Sequence, residues 1–164
     1  MAVSCILFMS CDDEFEGEVV KDSLPEIPVT FEGATTVGAN PYYAVSYATG
    51  TFSIKLTIPS DSRLKIKEVT QVVAGATSIN VATLKSTLQY TTPQAVNGYS
   101  FTLTSTIAEY NSKCIPNADG TFTNVKVNAA PAAGAFAERA FMFKLTMEDG
   151  STIVPVQCRI RVTK

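Results

Sequence analysis

Apolar and polar residues alternate along four stretches of the chain. In Phe52-Ser53-Ile54-Lys55-Leu56-Thr57-Ile58 the apolar set is 52, 54, 56 and 58, and between Tyr99 and Ile107 it is Tyr99, Phe101, Leu103 and Ile107, with threonines between. From Phe141 to Met147 it is Phe141, Phe143, Leu145 and Met147; from Val154 to Val162 it is Val154, Val156, Cys158, Ile160 and Val162. Successive side chains of a strand point to opposite faces, so a period of two predicts strands with one face on a core and the other in water, as in an antiparallel sheet.

Two turn signals set registers between such stretches. Across Glu148-Asp149-Gly150-Ser151, pairing Met147 with Thr152 puts Leu145 opposite Val154, Phe143 opposite Val156 and Phe141 opposite Cys158, all apolar residues on one face. Pro155 has no N–H to give a ladder, so an edge or a bulge is expected there. Across Ala48-Thr49-Gly50-Thr51, pairing Tyr47 with Phe52 puts Val45 opposite Ile54 and Tyr43 opposite Leu56. A further strand, Leu64 to Lys67, continues as Val69 to Val73 after a phase slip at Glu68, which predicts a bulge. Thr106-Ile107-Ala108-Glu109 has capping-box spacing and predicts a helical turn before Cys114. Asn80 is a candidate cap for a short helix through Leu84, and Asn128 to Ala137, "NAAPAAGAFA", reads as a mobile low-complexity loop.

The sum is an all-β fold of seven to nine strands, an immunoglobulin-like antiparallel β-sandwich, with a small β-barrel as the alternative. The 164 residues fit one domain. The divisions read as 1–10, a signal-peptide remnant; 11–28, an acidic tether; and 29–164, a single sandwich domain.

Charge sharpens that division. From Asp12 to Glu32 there are eight acids and one base, a charge of −7; from Gly33 to Lys164 there are twelve bases and seven acids, a charge of +5. The acids, with Pro25 and Pro28, predict an extended, self-repelling arm on a mildly basic body. Arg63, Lys65 and Lys67 are expected to project from one strand face, and Arg159 with Arg161 from another. Such rows serve acidic glycans or a protein partner, or simply solvate an outer face.

Ahead of the arm, Ala2 to Ser10 is an apolar stretch of nine, the length of a signal-peptide core and far short of a membrane span. The basic residues of such a leader are expected upstream of Met1. Phe8-Met9-Ser10-Cys11 resembles a bacterial lipobox, and Asp12-Asp13-Glu14 is similar to the acidic export signal of Bacteroidetes-type surface lipoproteins. The resemblance implies that Cys11 becomes an acylated N-terminus, anchored in the outer membrane and facing the cell's outside. Several acyl chains anchor stably where one does not. The alternative is a buried strand with an unmodified cysteine.

The absence of histidine removes Ser-His-Asp and Cys-His nucleophile activation and His-ligated zinc. Asp61, Asp119, Glu148 and Asp149 stand in turn-like contexts, so no paired carboxylates, no metal site and no cofactor are expected. Cys114 and Cys158 are the two thiols left in the body, read either as a disulfide, natural in an exported protein, or as buried free thiols. Tyr42, Tyr90 and Tyr110 are candidate platforms for a sugar. The expected function is a non-enzymatic outer-membrane lipoprotein, a binding or assembly module of a cell-surface complex. Its expected partners are the membrane, through the anchor, and an outer-membrane protein or glycan, not nucleic acid. The alternatives are a glycan-binding accessory of a polysaccharide-uptake system and a structural subunit of an adhesin or envelope assembly.

Overall fold

The computed structural model of the chain describes residues 27–38, 40–81, 84, 89–114, 118–119 and 125–164. Cys11, Asp12, Asp13 and Glu14 lie outside the described residues, as do most of the acidic arm and most of the segment between Asn80 and Tyr90.

Eleven strands and one short helix are described: β1 (Thr30–Phe31), β2 (Thr35–Val37), β3 (Asn40–Ser46), β4 (Thr51–Thr57), β5 (Ile66–Gly75), β6 (Gln89–Thr91), β7 (Gln94–Gly98), β8 (Ser100–Thr106), α1 (Ile107–Ser112), β9 (Ala137–Met147), β10 (Thr152–Ile153) and β11 (Cys158–Thr163). They form two open sheets, not a barrel. One has the order β1-β4-β8; the other has the order β2-β3-β11-β9-β5-β6, with β10 beside β9 and β7 beside β5. The molecule is thus an all-β sandwich. Pairs β10/β11 and β6/β7 each run along one flank of a single longer strand, so the eleven segments occupy nine lanes, the upper end of the expected number.

The alternating positions meet in one core. Phe52, Ile54 and Leu56 of β4 and Phe101 and Leu103 of β8 pack against Phe141, Phe143, Leu145, Ile160 and Val162 of the larger sheet. Ring pairs cross the layer, with centroids 5.5 Å apart for Phe52–Phe141 and 6.4 Å for Phe101–Phe143. Each such side chain, fully buried, contributes about 1.5–3 kcal/mol relative to exposure. Thr106 caps the expected helical turn, its Oγ1 accepting from the Glu109 N–H at 3.0 Å, while the Glu109 carboxylate turns to Ser105 and Lys113. The slip near Glu68 is present as a register shift between Ile66 and Glu68, with a second between Val69 and Gln71.

Three expectations are corrected. First, β3 and β4 are not a hairpin. β3 pairs with β2 and β11, and β4 pairs with β1 and β8, so the Ala48–Gly50 connection carries the chain from one sheet to the other. Val45 and Phe52 both face the core, and that pattern is the same whether two strands lie side by side or face each other. Gly50, at φ +62°, donates to Ser46 O at 2.9 Å, and its own carbonyl accepts from the Ile107 N–H at 2.7 Å, which seats the arch. Second, the larger sheet is mixed, because β3 and β11 run parallel, with Tyr42 opposite Arg159 and Val45 opposite Val162.

Third, the last hairpin changes register along its length. Phe141 faces Cys158 as expected, yet Leu145 faces Ile153 and Thr146 faces Thr152. One extra residue is absorbed in 154–157, around Pro155, where the ladder has no N–H to use. Val156 is therefore exposed instead of opposite Phe143. At the turn, Met147 N–H donates to Ser151 O at 2.9 Å, leaving three residues in the loop. Gly150 takes φ +86°, the left-handed position such a loop requires.

Candidate functional site

The outer face of the larger sheet divides into two halves. On one, Val73 of β5 and Met142 of β9 pack with Leu84, Ile79 and Val154, so the chain after β5 folds back over its own sheet. Gly75 permits that approach, since a Cβ there would lie 2.7 Å from Ile79 Cγ1. Gln71 Nε2 donates to Leu84 O at 2.6 Å and Ile79 N–H to Gln157 Oε1 at 2.8 Å, which fastens the cover.

The other half carries a different set. The registers Tyr42–Arg159, Arg159–Ala140, Ala44–Arg161 and Arg161–Glu138 place Tyr42, Arg159, Arg161 and Glu138 on one outward face of β3, β11 and β9. The Arg161 guanidinium lies between two rings, 3.9 Å from the centroid of Tyr42 and 4.1 Å from that of Phe136. Glu138 holds it from the side: Arg161 Nη2 and Nε donate to Glu138 Oε1 at 2.7 and 3.1 Å. Arg159 Nη1 donates to the other carboxylate oxygen at 3.3 Å, while Arg159 Nε is buried without a partner. Phe136 remains 52% exposed. The arrangement offers a ring face, guanidinium edges and one carboxylate for two cations.

A concavity lies beside α1, an open cleft of about 510 Å³ lined by Tyr90, Thr91, Thr92, Gln94, Glu109 and Lys113. Its charges satisfy one another. Lys113 Nζ pairs with Glu109 Oε1 at 3.0 Å, donates to Tyr90 O at 2.6 Å and lies 4.5 Å from the Tyr90 ring centroid. Ser105 Oγ donates to Glu109 Oε2 at 2.6 Å and also hydrogen-bonds the Tyr90 hydroxyl. The Ser105 hydrogen bond, followed by Lys113, holds the Glu109 carboxyl below the ordinary glutamate range. An anion so paired is a poor proton acceptor near neutrality.

The expected ligand residues part company. Tyr42 reaches the surface cluster, but Tyr90 and Tyr110 are core residues, 2% and 1% exposed, and cannot serve as sugar platforms. Tyr110 lies three residues after Ile107 on the buried side of α1, and its hydroxyl donates to Gly75 O at 2.9 Å. Burial pushes the Tyr90 phenol up to about 12 and raises that of Tyr110 further. Nor do Arg63, Lys65 and Lys67 share a strand face, because β5 begins only at Ile66. Arg63 is exposed ahead of β5, Lys65 donates its main-chain N–H to Glu148 Oε2 at 3.3 Å with its Nζ 5.8 Å from the Tyr99 ring centroid, and Lys67 is exposed at the slip.

Cys114 and Cys158 are buried free thiols, not a disulfide. Cys114 follows α1 and donates to Tyr110 O at 3.4 Å, whereas Cys158 sits in β11 opposite Phe141. Burial raises both thiols, that of Cys158 to about 12, so neither is a ready nucleophile. Phe136 and Glu138 are the site residues that strand periodicity missed. Among the described residues no group of three His, Cys, Asp or Glu is placed to hold a metal ion, and no helix is long and apolar enough to cross a membrane. Comparison with known proteins leaves the site to its own chemistry: no family model, no curated protein and no solved structure matches the chain.

Proposed function

We propose that the protein is a non-enzymatic, lipid-anchored module of the outer membrane that works by binding at the cell surface, with the β2–β3–β11–β9 half of its larger sheet as the working face. The observation that carries this reading is the Tyr42–Arg161–Phe136 stack, a polar and aromatic surface left open while the other half of the same face is covered. The address comes from Cys11 and the acids after it, whose order resembles an export signal. A thiol at that position supplies the thioether an acyl anchor needs, and the arm, fully extended over 11–28, spans about 55 Å. The Tyr42 ring also favours the second reading, a glycan-binding accessory of a polysaccharide-uptake system.

The test is fractionation. Wild-type protein should pellet with outer membranes and carry acyl chains on Cys11 by mass spectrometry. Cys11→Ala should appear in the soluble fraction; a variant that still pellets rejects anchoring at that residue.

A further inference from the structure

Building on the binding-module reading, we propose that the Tyr42–Arg161–Phe136 cluster is a docking platform for a carboxylate-bearing polysaccharide, a polyuronate, which lays a sugar ring on Phe136 and pairs its carboxylate with the arginines.

The argument begins with what the face lacks. It lies on β3, β11 and β9; β11 and β9 have a neighbouring strand on each side, and β3 is flanked by β11 and, over Asn40–Tyr42, by β2. A peptide that binds by strand addition needs a free edge, and one that binds as a helix needs a groove. The edge on this side is β2, whereas these side chains stand on the face of β3, β11 and β9. What that face does provide are flat, polarised groups: an open phenyl ring, a phenol ring and two guanidiniums whose side chains are 22–23% exposed. The C–H face of a pyranose packs on an aromatic ring, and a guanidinium fork matches a carboxylate.

Charge points the same way. Glu138 is the one carboxylate shared by Arg159 and Arg161, and it engages Arg161 through a single oxygen. The described cluster is therefore one negative charge short. A second carboxylate, supplied by the ligand, would balance the pair. The stacking of Arg161 between rings fixes the plane of its fork in advance, which lowers the ordering cost of binding. An open face in place of a closed cavity suits a chain that passes across it over a short chain that must be enclosed.

The probe is polygalacturonate, presented to the detergent-solubilised full-length protein in affinity electrophoresis, with fully methyl-esterified polygalacturonate, dextran and polyglutamate as comparisons. Polygalacturonate should retard the wild type; the ester, which keeps the rings and loses the charge, should not, nor should dextran. Phe136→Ala and Arg161→Lys should each weaken retardation at least tenfold, the second because it keeps the charge and loses the plane. Lys55→Gln, on the opposite sheet, should leave it unchanged. Circular dichroism melts identify any variant that does not fold, and the surface position of Phe136 keeps the test open if Arg161→Lys fails. Retardation that survives both variants, equal retardation by polyglutamate, or none by polygalacturonate overturns the proposal. A membrane-anchored protein that ignores polygalacturonate refutes only the ligand class; a soluble one that binds it refutes only the address.

Discussion

Two aromatic clusters in this molecule are built from the same residue types and are placed in opposite surroundings. Tyr90, Tyr110 and Phe141 form one, with Tyr90 and Phe141 edge to face at 5.2 Å and Tyr110 and Phe141 at 6.1 Å. All three are buried, and each phenol is tied to an internal partner, Ser105 for Tyr90 and Gly75 O for Tyr110. Tyr42 and Phe136 form the other, with a guanidinium between them and one ring half open to water. An aromatic ring is not in itself a binding group. Where its edges and hydroxyl are satisfied from within, it is structure; where a face is left over beside a charge, it is available to a ligand.

The sharpest way to break this contrast is to truncate one ring from each cluster. Phe141→Ala removes a fully buried ring that touches both tyrosines and should cost about 3–5 kcal/mol in urea unfolding. Phe136→Ala should stay within about 0.5 kcal/mol, as for most surface changes. Comparable losses from the two would show that Phe136 is a structural prop and would remove the ground for treating its face as free.

A smaller change separates the phenols. Tyr110→Phe deletes the donor to Gly75 O, a buried carbonyl at the point where the main chain turns to cover the outer face. The expected loss is about 1–3 kcal/mol. Tyr42→Phe, which keeps the ring against Arg161, should change stability by less than about 0.5 kcal/mol. If Tyr42→Phe were the costlier of the two, the surface phenol would have a structural partner and the comparison would fail.

The core cluster was partly legible and the surface cluster was not, for a physical reason. Strands β4, β8 and β9 and most of β11 announced themselves because burial on one face repeats every second residue. The cap at Thr106 and the slip near Glu68 were readable because they are local. Even the burial of Tyr110 was accessible, since it lies one helical turn beyond Ile107 on the helix that Thr106 caps. The Tyr42–Arg161 contact, by contrast, depends on β3 running parallel to β11, more than a hundred residues away, as the pairing of Val45 with Val162 records. No local pattern encodes that pairing. Phe136 was hidden differently: it lies in an alanine-rich run whose composition reads as loop, and it meets Arg161 only because β9 begins at Ala137, opposite Val162. The arch at Gly50 failed for a third reason, because inward-facing residues look alike on paired and on facing strands.

The smallest effect is electrostatic and belongs to the cleft beside the core cluster. Glu109 accepts from Ser105 and pairs with Lys113, and the hydrogen bond first, then the cation, lower its carboxyl below the ordinary value of 4.5. A carboxyl depressed in the folded state favours folding when ionised, so its contribution is complete above about the unfolded value and disappears as pH falls through the lower folded one. Glu109→Gln should therefore flatten the dependence of the urea midpoint on pH below about 4.5, leaving the midpoint near pH 7 only modestly reduced, because the side chain is 43% exposed and water screens the pair. Ser105→Ala removes the first cause of the shift and should flatten the same limb. Parallel acid limbs in the wild type and both variants would mean that Glu109 titrates alike folded and unfolded; the cleft would then be loosely held, and its charges, not only those around Arg161, would be open to a ligand.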